Sequence, residues 1–321
     1  MQFWLIPVLG LAPGLFWLWL VSKGNKYRPE PKRLIIRTFL LGMAIVIPVA
    51  FVELALEMPY LISHLREFQS FSTDIFNHLS LGESAYMAFI VAGFTEELFK
   101  FLVVRTTIFK SPYFDEPVDG LVYSSAAALG FSTLENISYM FEFGWSVILV
   151  RAPISTVAHV AFSALWGYPL ALKKLKKKNA TLFLWFGLIG AMAGHGLFDF
   201  LAFQQENTQP TIMNILLLIA SIVLFGGLIT VFVILLKRGQ KISPYKDKNA
   251  DLLMSCPNCR AHIPYYADFC TFCGARLAEN KAGYPEFCGK CGSELANGMN
   301  FCPSCGSQLI KKPGTVNERH R

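Results

Sequence analysis

The residues of this sequence best suited to chemistry are two adjacent glutamates inside an apolar run. Glu96 and Glu97 are followed by Lys100, which lies four residues after the first and three after the second. In an apolar setting two neighbouring carboxylates cannot both ionise cheaply, so we expect one to be neutral and the other to pair with the ammonium group. Such a pair offers one acid and one base, which are the groups that activate a water molecule for peptide hydrolysis.

Three later apolar runs also contain ionisable side chains. The first contains Glu135, the second His159, and the third both His195 and Asp199. The last two residues are four positions apart and therefore share a helix face, where the carboxylate can orient the imidazole or hold it protonated. A histidine beside the glutamates could stabilise the oxyanion of a tetrahedral intermediate. Charged groups at membrane depth are costly, which makes each of these residues a functional candidate.

The motifs leave the type of catalyst open. The sequence has no His-Glu-x-x-His, Gly-x-Ser-Gly or Gly-x-Gly-Asp motif, which argues against zincin, rhomboid and presenilin chemistry. A metal-free site with a glutamate-activated water remains, as does a zinc site formed by His159, His195 and one glutamate. A transporter whose buried groups bind an ion or relay protons is a non-enzymatic alternative. Against it, the spans show no inverted repeat, and the carboxylates cluster around one pair.

Membrane helices have to position these side chains, because the composition is too apolar for a soluble enzyme. Of 321 residues, 53% are hydrophobic and 16% are charged. Seven stretches reach the roughly 20 apolar residues that a span requires. They lie near residues 3–22, 34–56, 85–105, 118–139, 145–172, 181–203 and 212–236. The sequence therefore predicts an all-α polytopic membrane protein with about seven transmembrane helices, of which the first is a retained anchor and the fifth, containing Pro153, is kinked or partly re-entrant.

The positions of the basic residues predict the orientation of these spans. Clusters of Lys and Arg follow the first, fifth and seventh stretches. The connections that follow the second, fourth and sixth stretches together contain one Arg and no Lys. Because cytoplasmic loops collect basic residues, we expect the N-terminus outside and the C-terminal region in the cytosol. In this topology Glu135 and Asp199 lie toward the outer ends of their helices, which predicts an outward-opening site and cleavage near the outer membrane boundary of a substrate.

All eight cysteines lie in the polar C-terminal region, in two copies of one unit. Each copy has two Cys-x-x-Cys pairs separated by ten residues. They are Cys256, Cys259, Cys270 and Cys273, then Cys288, Cys291, Cys302 and Cys305. Four thiolates at this spacing form the closed tetrahedral shell that Zn²⁺ prefers, so we predict two structural zinc ions. Disulfides are the alternative, but a cytosolic location disfavours them.

These features divide the chain into five predicted segments. They are a transmembrane domain at 1–240, a linker at 241–254, zinc ribbons at 255–278 and 286–310, and a polar tail at 311–321. The Cys-Gly-x-x-Leu endings of both cysteine units resemble the zinc-ribbon family. We expect the ribbons to bind a cytosolic protein and expect no nucleic acid as a partner.

The motifs of the transmembrane domain, in their order along the chain, resemble the PrsW family of intramembrane proteases, which are distant relatives of the CAAX prenyl endopeptidases. They are Glu96-Glu97-x-x-Lys100, Phe131-x-x-x-Glu135, His159 and His195-x-x-x-Asp199, and the resemblance extends over about residues 1–236. It implies that Glu96, Glu97 and His195 match the essential positions of the family. It also implies a bacterial plasma-membrane protease that cleaves a single-pass membrane protein, such as an anti-sigma factor.

Overall fold

A computed structural model describes most of the chain. The described residues are 4–63, 79–111, 113–207, 212–243, 245–246, 252–260, 262–264, 270, 273, 275–277, 287–288, 293–295, 299 and 301–306. Predicted ribbon ligand Cys291 and the predicted tail at 311–321 lie outside them. The chain divides into two compact units. The first contains Met1–Lys26 and Leu34–Ser243, and the second contains Tyr27–Arg33 and Pro244–Arg321.

The first unit is helical throughout its described elements. Its α-helices are α1 (Leu5–Ser22), α2 (Lys32–Ala44), α3 (Val46–Ser63), α4 (Leu81–Tyr86), α5 (Thr95–Thr107), α6 (Pro117–Phe143), α7 (Ile148–Arg151), α8 (Ser155–Lys174), α9 (Ala180–Asn207) and α10 (Ile212–Lys241). A π-helical segment, Met87–Phe94, joins α4 directly to α5, and a 3₁₀ turn, Trp145–Val147, precedes α7.

Four of the described helical stretches are long and apolar enough to cross a membrane. They are Leu5–Ser22, Lys32–Ile62, Ala180–Gln205 and Ile212–Lys241. A fifth is available if Trp145–Arg151 and Ser155–Lys174, which are bent by 44° at Pro153, form one broken span. The structure therefore has the helices of a multi-pass membrane protein but does not confirm the predicted count of seven. The other two predicted spans coincide with Leu81–Thr107 and α6, whose glutamates and small polar residues reduce their hydropathy.

Helix α6 lies at the centre of the bundle, where it packs against α1 and α8, while α8 packs in turn against α9. Small residues let the backbones approach closely. A Cβ atom added at Gly120 would lie 2.1 Å from the carbonyl oxygen of Gly167 on α8. On the other side, one added at Gly42 would lie 2.2 Å from the carbonyl oxygen of Ala127. The buried run Ser124–Ala128 thus serves close helix packing.

The ends of α6 are set by local sequence. At its start Pro117 occupies the first turn, where its missing N–H has no helical partner to lose, and Glu116 and Asp119 form a reciprocal capping box. Asp119 Oδ2 accepts the backbone N–H of Glu116 at 2.7 Å. At its other end Gly144 adopts a φ of +86°, a conformation that disfavours L side chains and stops the helix.

The π-helical segment lies directly before the glutamate pair. Such segments are uncommon and are frequent at functional sites. Thr95 Oγ1 donates to the carbonyl oxygen of Ile90, five residues back, at 3.3 Å. The segment packs against α9, and a Cβ atom added at Gly93 would lie 2.6 Å from the carbonyl oxygen of Met192. Close contact with α9 therefore fixes the segment from which α5 continues.

The second unit contains a small antiparallel sheet with strand order β2-β1-β3. Its strands are β1 (Leu252–Ser255), β2 (His262–Pro264) and β3 (Phe287–Cys288). Leu253 pairs with Pro264 on one side and with Phe287 on the other. Strand β1 begins within the predicted linker at 241–254, and the two cysteine units share one sheet.

The close approach of α9 predicts an unusual response to Gly93→Ala. Alanine normally stabilises a helix relative to glycine by about 0.5–1 kcal/mol, but here its methyl group collides with backbone, which typically costs about 1–3 kcal/mol. We expect a lower thermal unfolding temperature in detergent. The matched control is Gly226→Ala in α10, where no described atom lies within 4 Å of an added Cβ. Equal unfolding temperatures for the two variants would contradict this packing.

Candidate active site

The structure brings all seven predicted site residues of the transmembrane domain together. Helix α5 supplies Glu96, Glu97 and Lys100, α6 supplies Glu135, α8 supplies His159, and α9 supplies His195 and Asp199. The first three residues and both histidines are buried. Four helices therefore enclose one polar centre within the helical bundle.

The ammonium group of Lys100 lies in the middle of this centre. Its Nζ donates to Glu96 Oε2 at 2.9 Å and to Glu97 Oε1 at 3.0 Å, and it lies 2.9 Å from His159 Nδ1. The sequence predicted that Lys100 would pair with one glutamate, whereas in the structure it pairs with both. It also lies 4.3 Å from the ring centroid of Phe131, a cation–π contact.

Glu97 has hydrogen-bond donors at both carboxylate oxygens. Besides the bond from Lys100 to Oε1, Oε2 accepts Ser163 Oγ at 2.9 Å and Trp166 Nε1 at 3.0 Å. The sequence reasoning missed both donors. They follow His159 by four and seven residues and therefore lie on its helix face, a spacing that could have identified them.

Glu96 is held less firmly and faces both imidazoles. Its Oε2 lies 3.8 Å from His159 Nδ1 and 3.8 Å from His195 Nε2. Its side chain is 9% exposed, whereas that of Glu97 is fully buried. Of the two glutamates, Glu96 therefore has more freedom to interact with a bound molecule.

His195 is fixed from three sides. Its Nδ1 lies 3.5 Å from Glu97 Oε1, and its Nε2 lies 3.4 Å from Asp199 Oδ2. The ring stacks on Phe162 with centroids 4.8 Å apart and planes 14° apart. This arrangement leaves Nε2 facing the space between Glu96 and Asp199.

One side of the centre is more accessible than the rest. The side chains of Glu135 and Asp199 are 20% and 25% exposed, against 9% or less for the glutamate pair, Lys100 and both histidines. Glu135 Oε2 lies 2.8 Å from His159 Nε2. The centre is therefore least buried beside these two carboxylates.

The donor set of the centre is that of a metal site, although Lys100 Nζ lies 2.9 Å from two of the donor atoms, Glu96 Oε2 and His159 Nδ1. Glu96, His159 and His195 each offer one ligand atom, and these atoms all lie within 4.8 Å of one another. Two imidazoles and one carboxylate form a common catalytic zinc shell. The second nitrogen of each imidazole lies near a carboxylate, as in many zinc sites. His159 Nε2 faces Glu135, and His195 Nδ1 faces Glu97.

The cysteines of the second unit form clusters of zinc-binding geometry. Sγ atoms are 3.7 Å apart for Cys256 and Cys273 and 3.6 Å for Cys259 and Cys270. The second cluster contains the described ligands Cys288, Cys302 and Cys305. These distances are far beyond the roughly 2.05 Å of a disulfide and match sulfurs placed about 2.3 Å from one zinc ion. The clusters are thus compatible with structural zinc.

The two units of the chain match two family models. One, described as PrsW family intramembrane metalloprotease, matches residues 30–237, and the other, described as double zinc ribbon, matches residues 256–306. The first includes every residue of the polar centre. The second includes all eight cysteines.

Several bacterial proteins named Protease PrsW are similar to this chain. That of Geobacillus kaustophilus is 30% identical over 197 residues, or 61% of this chain and 79% of the relative. That of Bacillus subtilis is 28% identical over 199 residues, or 62% and 83%. That of Oceanobacillus iheyensis is 33% identical over 196 residues, or 60% and 80%. No solved structure matches the chain.

The ribbon clusters predict the zinc content of the C-terminal region. Because Cys302 belongs to one four-cysteine unit, we expect Cys302→Ser to remove about one zinc ion per chain, and a second substitution, Cys256→Ser, to remove about one more. Elemental analysis of purified protein measures this content. The control is Ser304→Ala, an exposed change between two ligands, which should leave zinc unchanged. Undiminished zinc in both cysteine variants would rule out these ligands.

Proposed function

Since the chain belongs to the PrsW family of intramembrane proteases, we propose that it hydrolyses a peptide bond in a single-pass membrane protein, such as an anti-sigma factor. The observation that carries this proposal is the convergence of Glu96, Glu97, His159 and His195 around one ammonium group in an apolar bundle. Buried charges are costly in a membrane, and this cluster contains the acid, base and oxyanion-stabilising groups of hydrolysis.

We assign different roles to the two glutamates. Glu96 is the carboxylate that accepts the proton of the attacking water, because it faces both imidazoles and is the less constrained of the pair. The hydroxide adds to the scissile carbonyl carbon to give a tetrahedral intermediate. As this intermediate collapses, the C–N bond breaks and the proton passes from Glu96 to the departing amide nitrogen. His195 stabilises the developing oxyanion. Glu97, which accepts three hydrogen bonds, holds Lys100 in place.

A second candidate mechanism is supported by the two-histidine, one-carboxylate donor set. Glu96, His159 and His195 would hold a zinc ion, with Glu135 and Glu97 orienting the imidazoles. When bound, zinc supplies Lewis acidity that polarises a carbonyl and makes water a stronger nucleophile. Glu96 is required in both mechanisms, as proton acceptor in one and as ligand in the other.

The proposal includes the arrangement in the membrane. Seven spans, an external N-terminus and cytosolic ribbons in a bacterial plasma membrane agree with the basic clusters that follow the first, fifth and seventh spans. The polar centre is least buried beside Glu135 and Asp199, which this topology assigns to the outer side. Both observations favour cleavage near the outer boundary of the substrate. The ribbons are then available to a cytosolic protein partner.

Substitution of the glutamates tests the proposed chemistry. With Glu96→Gln we expect cleavage of a candidate single-pass substrate to fall by about 10²-fold or more, because the amide cannot accept the proton. Glu97→Gln should also lower cleavage, through displacement of Lys100. The control is Glu142→Gln, which changes an exposed glutamate at the end of α6. Cleavage is measured at matched protein levels in membranes, and wild-type rates for Glu96→Gln would refute the proposal.

Zinc content separates the two mechanisms. In a full-length chain whose eight cysteines are replaced by serine, a zinc-dependent centre retains about one zinc ion, which His195→Ala removes together with activity. A metal-free centre retains none and still cleaves substrate in the presence of a chelator. Elemental analysis and cleavage assays on the same samples give the result. His262→Ala, outside the centre, is the matched histidine control.

A further inference from the structure

Arg151, the last residue of α7, points into the protein. Its Nη2 lies 2.7 Å from Glu135 Oε1, its Nε donates to Asn136 Oδ1 at 2.8 Å, and its guanidinium lies 3.7 Å from the ring centroid of Tyr139. Its side chain is only 12% exposed. A span-end arginine that merely anchors the chain extends to the membrane surface instead. All three partners lie along one side of α6.

These contacts continue to the polar centre through one carboxylate. Glu135 Oε1 forms an ion pair with Arg151, and its other oxygen, Oε2, lies 2.8 Å from His159 Nε2. On the far side of the imidazole, His159 Nδ1 faces the ammonium group of Lys100 at 2.9 Å. An ammonium group can only donate, so Nδ1 accepts and the ring proton resides on Nε2, on the side that faces Glu135. The same tautomer leaves Nδ1 as the atom that faces Glu96.

Arg151 also fixes the bend from which the His159 helix begins. Asn136 accepts from Arg151 and donates through Nδ2 to Thr156 Oγ1 at 2.9 Å. Thr156 lies in the first turn of α8, which meets α7 at the 44° bend. Asn136 thus contacts both sides of the break that contains Pro153, and Arg151 is its partner on the α7 side.

We infer that Arg151 is a positioning residue of the protease, which fixes Glu135 and, through it, the ring orientation of His159. This inference rests on the proposed function only for its kinetic readout. Arg151 does not touch the space between Glu96 and the imidazoles, so its loss should lower kcat and leave KM nearly unchanged. The planar guanidinium reaches Glu135 and Asn136 at once, which the single ammonium of a lysine does poorly.

Kinetics on the full-length chain test this role. We expect Arg151→Met to lower kcat about 10- to 100-fold and Arg151→Lys to lower it less. In the double variant with Glu135→Gln, kcat should fall little further than in the more impaired single variant, because both changes break the same chain of contacts from Arg151 to His159. The matched control is Arg105→Met, a partly buried arginine over Phe109 at 4.3 Å. Unchanged kcat in folded Arg151 variants, or fully additive losses, would overturn the inference.

A spectroscopic experiment separates this inference from the proposed function. Magnetic resonance of protein labelled at its six histidines, with His159→Asn used for assignment, reports the environment of the His159 ring without any substrate. The His159 ring signals should coincide in wild type and Arg105→Met, and be shifted or broadened in Arg151→Met and, to a smaller extent, in Arg151→Lys. Unchanged His159 signals in both Arg151 variants would refute the positioning role. Failure of wild type to cleave any substrate would instead count against the proposed function.

Discussion

The polar centre depends on one constraint, which is that charge buried among apolar helices has to be compensated within a few ångströms. Lys100 meets this constraint by pairing with Glu96 and Glu97 at 2.9 and 3.0 Å. Removing the ammonium group would leave two carboxylates without their counterion. Removing either glutamate would leave the other as the one glutamate bonded to Lys100. The glutamates, lysine and histidine of the centre therefore behave as one electrostatic unit.

The packing of the bundle follows from the need to bring these groups together. Four helices have to approach closely enough for short side chains to meet, so glycine backbones replace side-chain contacts where α6 meets α2 and α8. The π-helical segment before Glu96 is fixed against α9, which carries His195. Close packing and catalytic geometry are thus linked, because a shift of α9 against this segment changes the distance between the glutamates and the imidazole.

The two units are stabilised in different ways. The helical unit has an extensive apolar core formed by α6, α8 and their neighbours. Among its described residues the second unit has only small apolar clusters around its cysteines, so bound metal would supply much of its folding free energy. Loss of ribbon zinc should therefore unfold the second unit without dismantling the polar centre of the first.

The sequence by itself determined which residues form the centre, because ionisable groups in apolar runs are rare and cysteine spacing is specific to zinc ribbons. It could not determine how they are paired. That Lys100 reaches His159, that Ser163 and Trp166 bind Glu97, and that Arg151 reaches Glu135 depend on the rotation of each helix about its axis. The π-helical segment and glycine contacts between distant segments decide those rotations. Only the tertiary structure therefore showed that Glu97 accepts hydrogen bonds at both oxygens while Glu96 faces the two imidazoles.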